Sequence, residues 1–158
     1  MIEIEKILPD HKSWIEKILS SSWGSTRVIS RGKVYDASNL PGFVAYVDQE
    51  PAGLCTYQIV QNQCEIISLN SLKENMGIGS ALIAEVTKEA REQKCRRVWL
   101  ITTNENLRAI GFYQKRGFVL AQLYPNAIKK SRQLKPEIPL MGQNNIPIRD
   151  ELEMELIL

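Results

Sequence analysis

Gly77 and Gly79 stand two apart in the run Glu74-Asn75-Met76-Gly77-Ile78-Gly79-Ser80-Ala81-Leu82-Ile83, where an apolar strand gives way to an amphipathic stretch. Glycines at a helix entrance remove side chains, so an anion can approach the unpaired main-chain N–H groups of Asn75 to Ser80. The helix dipole adds attraction for negative charge. A diphosphate suits such a turn. Other phosphate loops are excluded. No Gly-Lys-Ser/Thr follows, and Leu82 fills the place of the last glycine in a dinucleotide fingerprint, with no opening βαβ unit before it. Tight packing of the helix on a strand is the competing reason for the same two glycines.

Acid–base chemistry has few other sources here. The chain holds one histidine, His11, in a polar N-terminal stretch, so histidine triads and zinc sites are poorly supplied. Cys55, Cys64 and Cys95 lack metal-ligand spacing, and they read as buried free thiols with no metal called for. Carboxylates and tyrosines remain. Tyr113 lies in an amphipathic segment that ends at Gly117. Glu65 lies in the strand just before the glycine run, and Asp36, Asp150 and Glu151 are its rivals.

These residues need elements to position them. Met1 to Ile7 alternates like a short strand, and a helix follows from Asp10 with Trp14, Ile15, Ile18 and Leu19 as its apolar stripe. Arg27 to Tyr35 reads as extended. Phe43 to Val47, Leu54 to Val60 and Cys64 to Leu69 form a three-strand meander. Alternation along its last strand places Glu65, Ile67 and Leu69 on one face. Ser80 to Lys94 is an amphipathic helix, Arg97 to Thr102 a buried strand, Leu107 to Arg116 a helix capped by Gly117, and Phe118 to Leu123 a strand. A short helix is expected near Asn126 to Leu134, then a Pro-rich stretch, and a half-buried last strand from Glu151 to Leu158.

The resulting order, β-α-β-β-β-α-β-α-β-β, predicts a single α/β domain over residues 1–158. Its mixed, mostly antiparallel twisted sheet has six to seven strands, with helices on both faces. At 158 residues it buries about two-thirds of its unfolded surface without staples. The net charge of +2 is too small to mark a nucleic-acid binder. No apolar run reaches the roughly 20 residues of a membrane span. Acids stand in the first six residues where a secretory n-region would be basic, so a cytoplasmic location is expected. Lys129, Lys130, Arg132 and Lys135 form a basic cluster that could steer an anionic acceptor or remain solvated. The long stretch to Arg149 is expected to serve as a lid or a homodimer contact.

The segment Asn106-Leu107-Arg108-Ala109-Ile110-Gly111-Phe112-Tyr113-Gln114-Lys115-Arg116-Gly117-Phe118 completes the pattern. With the glycine run it resembles the two motifs of the GCN5-related N-acetyltransferase (GNAT) superfamily. These are Q/R-x-x-G-x-G/A at the central helix and N-x-x-A-x-x-F-Y-x-x-x-G-F one helix and one strand later. Asn106, Ala109, Phe112, Tyr113, Gly117 and Phe118 match the second in register. Glu74 departs from the usual Gln or Arg of the first, which leaves coenzyme binding to the amides of Asn75, Met76, Gly77, Ile78, Gly79 and Ser80.

The resemblance implies transfer of an acetyl group from acetyl-CoA to an amine. Tyr113 would be the general acid, the Leu69 N–H the donor to the thioester carbonyl, Asn106 a pantetheine contact and helix cap, and Glu65 the general base acting through water. A small-molecule primary amine is the expected acceptor. A lysine or N-terminus of a protein is the alternative, and a non-catalytic acyl-CoA-binding domain the alternative of another class.

Overall fold

A computed structural model describes residues 1–158. Strand β1 (Ile2–Lys6) leads through a 3-10 turn into helix α1 (Lys12–Trp23), which stops at Gly24 in the left-handed region. The segment read as one extended run is two strands, β2 (Arg27–Ser30) and β3 (Lys33–Asp36), paired only with each other. Arg31 and Gly32 between them both have positive φ, 49° and 74°. That is the backbone of a two-residue hairpin turn whose twist matches the strands it joins.

The meander follows as β4 (Gly42–Val47), β5 (Glu50–Val60) and β6 (Gln63–Ser71). β5 begins four residues earlier than its apolar run suggests, because Glu50 and Pro51 pair with Val47 and Tyr46. Helix α2 (Ile78–Glu92) carries the chain across to β7 (Arg97–Thr103), which lies parallel to β6. Then come α3 (Leu107–Lys115), β8 (Val119–Tyr124), α4 (Ala127–Leu134) and β9 (Glu151–Ile157). The main sheet has seven strands in the order β1-β4-β5-β6-β7-β9-β8, antiparallel everywhere except at β6–β7.

The core has two parts. A cluster of 19 buried residues joins the sheet to α2 through Leu82 and Val86, and to α3 through Tyr113. A cluster of six, including Ile15 and Leu19 of α1, covers the opposite face. Large apolar side chains excluded from water stabilise such layers by about 1.5–3 kcal/mol each. Cys55, Cys64 and Cys95 are all buried and unpaired, as expected of free thiols, although Cys95 stands between Lys94 and Arg96 in sequence.

Two irregularities shape the site. The parallel pairing of β6 with β7 covers only Gln63 to Ile66 against Arg97 to Leu100, although both strands run on. The two strands therefore part after Ile66. Between β5 and β6, Thr56 pairs with Ser68 and Tyr57 with Ile66, so Ile67 is an unpaired bulge residue. One extra residue reverses the alternation. Ile67 joins the α1-side cluster, while Leu69 packs on the α2 side. The expectation that Glu65, Ile67 and Leu69 share a face fails at the bulge.

The stretch 126–149 is neither loose nor a basic patch. Arg132 donates to the carbonyls of Ile138, Pro139 and Ile148, and the Lys135 ammonium to those of Trp23 and Arg27. Asn104 accepts from the N–H groups of Arg149 and Asp150 and donates to Pro147 O. Lys129 and Lys130 are exposed. Half of the expected basic cluster is thus engaged with backbone carbonyls, and the Lys135 ammonium, whose residue is buried, finds two of them.

Candidate active site

The glycine turn and α3 enclose one side of a cavity of about 410 Å³. Gly77 is the N-cap of α2 with φ +78°, and Asn75 also has positive φ. No side chain caps this helix. The first amide to find an acceptor is Ala81, which donates to Gly77 O at 3.0 Å. The N–H groups of Asn75, Met76, Gly77, Ile78, Gly79 and Ser80 have no acceptor within the chain. All of these residues line the cavity except Met76, whose side chain is half exposed. Unpaired amides at a helix N-terminus, facing a cavity of this size, fit a diphosphate.

The two glycines do different work. A Cβ on Gly77 would meet nothing within 4 Å, so its value is the left-handed backbone conformation. A Cβ on Gly79 would lie 2.8 Å from the Phe112 ring. Gly79 therefore lets α3 close on α2, so helix packing accounts for this glycine and not for Gly77. Two polar contacts tie the same helices. Arg116 donates to Ser80 Oγ at 2.8 Å with its guanidinium 3.5 Å above the Phe112 ring, and Arg108 pairs with Glu74 at 2.9 Å. Glu74 thus neither caps the helix nor faces the cavity alone. Its charge is met by an exposed arginine. Asn106 caps α3 by accepting from Ala109 N at 3.3 Å, and it lines the cavity too.

Tyr113 and Leu69 share the inner wall. Tyr113 is packed edge-on between Phe112 and Phe118, its hydroxyl bonded to nothing in the chain. Burial pushes this phenol far above its ordinary pKa, Cys55 adds to the rise and Arg116 opposes it, so it stays protonated throughout any working range. Along β5, Tyr57 N bonds Pro41 O on the β4 side, so Thr56 turns its backbone groups to β6 and pairs with Ser68. Alternation then points the Leu69 N–H toward β7. Pairing with β7 has ended by that point, and the amide faces the gap.

Glu65 occupies the other face. It lies at the wall of a second cavity, of about 160 Å³, with Ser30, Tyr35, Gln58 and Trp99 around it. Only 6 % of its surface is exposed, and Ser30 Oγ donates to its Oε2 at 2.5 Å. Burial raises its pKa; the Ser30 hydroxyl and Lys33 lower it, while Glu153 and Glu151 raise it further. No cation is within ion-pair distance. Its rivals are all engaged. Asp36 accepts from Ser38 and Asn39, Asp150 from Asn126 N, and Glu151 pairs with Arg31 at 3.0 Å. Gln58 Oε1 is buried in this region without a donor. Among the aromatics, Tyr35 borders this cavity, whereas Tyr57 stacks on Phe43 in the core and Trp14 packs on the α1-side cluster. Trp23 is 42 % exposed.

Sequence reasoning missed the hairpin that roofs this cavity. Arg31 lies 3.3 Å above the Tyr124 ring, and Tyr124 donates to Glu153 at 2.9 Å. Gly32 was the available signal, since a glycine between two β-branched runs marks a tight turn.

The match to known proteins decides the family. The model of the acetyltransferase (GNAT) family matches residues 8–118. The chain belongs to that family. It is an acyltransferase by that membership. The protein YdhI of Bacillus subtilis (strain 168) is 43 % identical over 150 residues, spanning 92 % of this chain and 94 % of its own. Among solved structures, an IAA acetyltransferase from Bacillus cereus ATCC 14579 covers 100 % of both chains with a TM-score of 0.73 at 16 % identity. A GNAT family acetyltransferase from Elizabethkingia anophelis with acetyl-CoA bound covers 99 % of this chain and 98 % of its own, at TM-score 0.70 and 18 % identity. At such identities these two establish the fold. No helix here is long and apolar enough to cross a membrane.

Proposed function

We propose that the protein transfers the acetyl group of acetyl-CoA to a primary amine of a small molecule by direct attack. The observation that carries this is one cavity holding three features together: the unpaired amides from Asn75 to Ser80, the Leu69 N–H in the gap between β6 and β7, and the free Tyr113 hydroxyl. Acetyl-CoA supplies an activated acyl carbon and a thiolate leaving group. The amides hold its diphosphate, and Asn106 faces the pantetheine arm. The Leu69 N–H donates to the carbonyl oxygen as negative charge grows there, a contribution of about 3 kcal/mol for a preorganised donor. Tyr113 gives its proton to the departing sulfur. At ordinary pKa values this transfer is uphill by about 2 kcal/mol; burial of the phenol widens that gap, and positioning within one cavity acts against it.

Glu65 takes the proton of the attacking ammonium. It stands four residues before Leu69, about 13 Å along the strand, so water relays the proton. Burial without a cation partner moves its pKa toward that of an amine, as a base for this task needs. The β2–β3 hairpin walls a Glu65 cavity of only about 160 Å³, a size that suits a small acceptor better than a peptide strand. A screen of small amines and of lysine and N-terminal peptides, read by thiol released from acetyl-CoA, tests this. Release with peptides alone would replace the small-molecule reading by the protein one.

A further inference from the structure

We infer that Ser30 is a positioning residue that fixes the Glu65 carboxylate, and that Arg31 latches the β2–β3 hairpin to the far side of the sheet to keep it there. The inference rests on reading Glu65 as the base.

A two-stranded hairpin outside the main sheet has little stability of its own. This one is held at its tip. The Arg31 guanidinium is sandwiched between the Tyr124 ring of β8, 3.3 Å away, and Glu151 of β9, 3.0 Å away. Its main-chain N–H also reaches Glu151 Oε2 at 3.4 Å. Glu151 is almost wholly buried, so its charge is compensated chiefly through this arginine. A planar guanidinium that both stacks and bonds restrains direction as well as distance. The residue immediately before Arg31 is Ser30, which is 5 % exposed and donates to Glu65 across 35 residues of sequence. One hydroxyl is therefore placed on one carboxylate by β2, the hairpin turn, β8 and β9 together.

The chemistry gives that placement a purpose. A hydroxyl that donates to a carboxylate favours its charged form, and it fixes which oxygen is left to accept from substrate or water. Without it, burial drives Glu65 toward the protonated form, which cannot act as a base. The other groups that face Glu65 are Lys33 and Tyr35 of β3, Gln58 of β5, and Glu151 and Glu153 of β9. Ser30 makes the short hydrogen bond to it, and the Tyr35 hydroxyl also approaches it closely enough that, after burial, this contact helps raise the phenol's pKa.

The test uses the full chain with ¹³C-labelled glutamate δ-carboxyls, titrated by NMR. The Glu65 resonance is assigned by its loss in Glu65→Gln. Ser30→Ala is expected to raise the Glu65 midpoint by about one pH unit or more, the size of a hydrogen bond to a charged group. Ser30→Thr, which keeps the hydroxyl, is expected to restore the wild-type midpoint. Arg31→Lys keeps the charge but loses the planar stack, and should shift the midpoint upward by a smaller amount. An unchanged midpoint in Ser30→Ala would overturn the role of Ser30, and an unchanged one in Arg31→Lys would overturn the latch. Turnover separates this from the role of the base. If activity is indifferent to Glu65→Gln, the base assignment falls even where the titration behaves as stated.

Discussion

Apart from Gln143, the coenzyme cavity takes its lining from two stretches of chain, 69–80 and 106–116. The Glu65 cavity draws on 30–35, 58–65 and Trp99, and is braced from Tyr124 and Glu151. In the proposed reaction the first side works mainly through backbone: unpaired amides, a positive φ, and a strand that leaves its neighbour. The second works through side chains held by long-range contacts. The difference teaches where substitution is tolerated. Backbone donors survive side-chain changes that spare the turn, whereas a carboxylate held by a distant serine is sensitive to residues that never touch substrate.

The contrast is broken most severely at Tyr113, the one side chain on the 410 Å³ side to which the proposed reaction gives a chemical task. Tyr113→Phe should lower turnover about 100-fold while acetyl-CoA affinity, measured by calorimetry, stays within error. An equal loss of both would make the tyrosine a packing residue. Glu65→Gln should lower turnover by about 30-fold and remove the acid limb of the pH–rate profile, along which activity rises as Glu65 loses its proton. The same variant tests linkage. The folded-state pKa of Glu65 is raised, so stability falls as pH rises from the ordinary glutamate value through that raised pKa, and it is unaffected below both. Glu65→Gln should therefore melt higher than wild type at pH 8 and equally at pH 4.

Gly79→Ala sharpens the division between the two glycines. A methyl 2.8 Å from the Phe112 ring must push α3 from α2, at a cost of about 1–3 kcal/mol. Coenzyme affinity should fall about tenfold. The smallest effect belongs to Glu74. It and Arg108 are both exposed, and such pairs are worth little. Glu74→Gln frees a guanidinium at the cavity wall, and coenzyme affinity should change by less than about threefold, in the direction of tighter binding.

The coenzyme half was legible in the sequence because its parts are contiguous. Gly77, Gly79, Asn106 and Tyr113 fall in two short segments whose spacing survives without knowledge of any long-range contact. Strand and helix periodicity gave the seven-stranded sheet for the same reason. The acceptor half was legible only as a lone Glu65. Ser30, Arg31 and Tyr124 meet it from far away, and no local pattern announces such a meeting. The bulge at Ile67 was hidden as well, since an unpaired residue inside an apolar strand looks like any other and silently reverses the faces beyond it. Arg132 and Lys135 looked like surface charge, because nothing in sequence distinguishes a solvated lysine from a buried one that binds two backbone carbonyls.

Titration of ¹⁵N-labelled protein with acetyl-CoA reaches the shared premise of the whole account. The amides of Ile78, Gly79 and Ser80 should shift downfield as they meet phosphate oxygens, and that of Leu69 should move with the same saturation curve. Binding that shifts neither the turn nor Leu69, with changes confined to the Glu65 face, would contradict it.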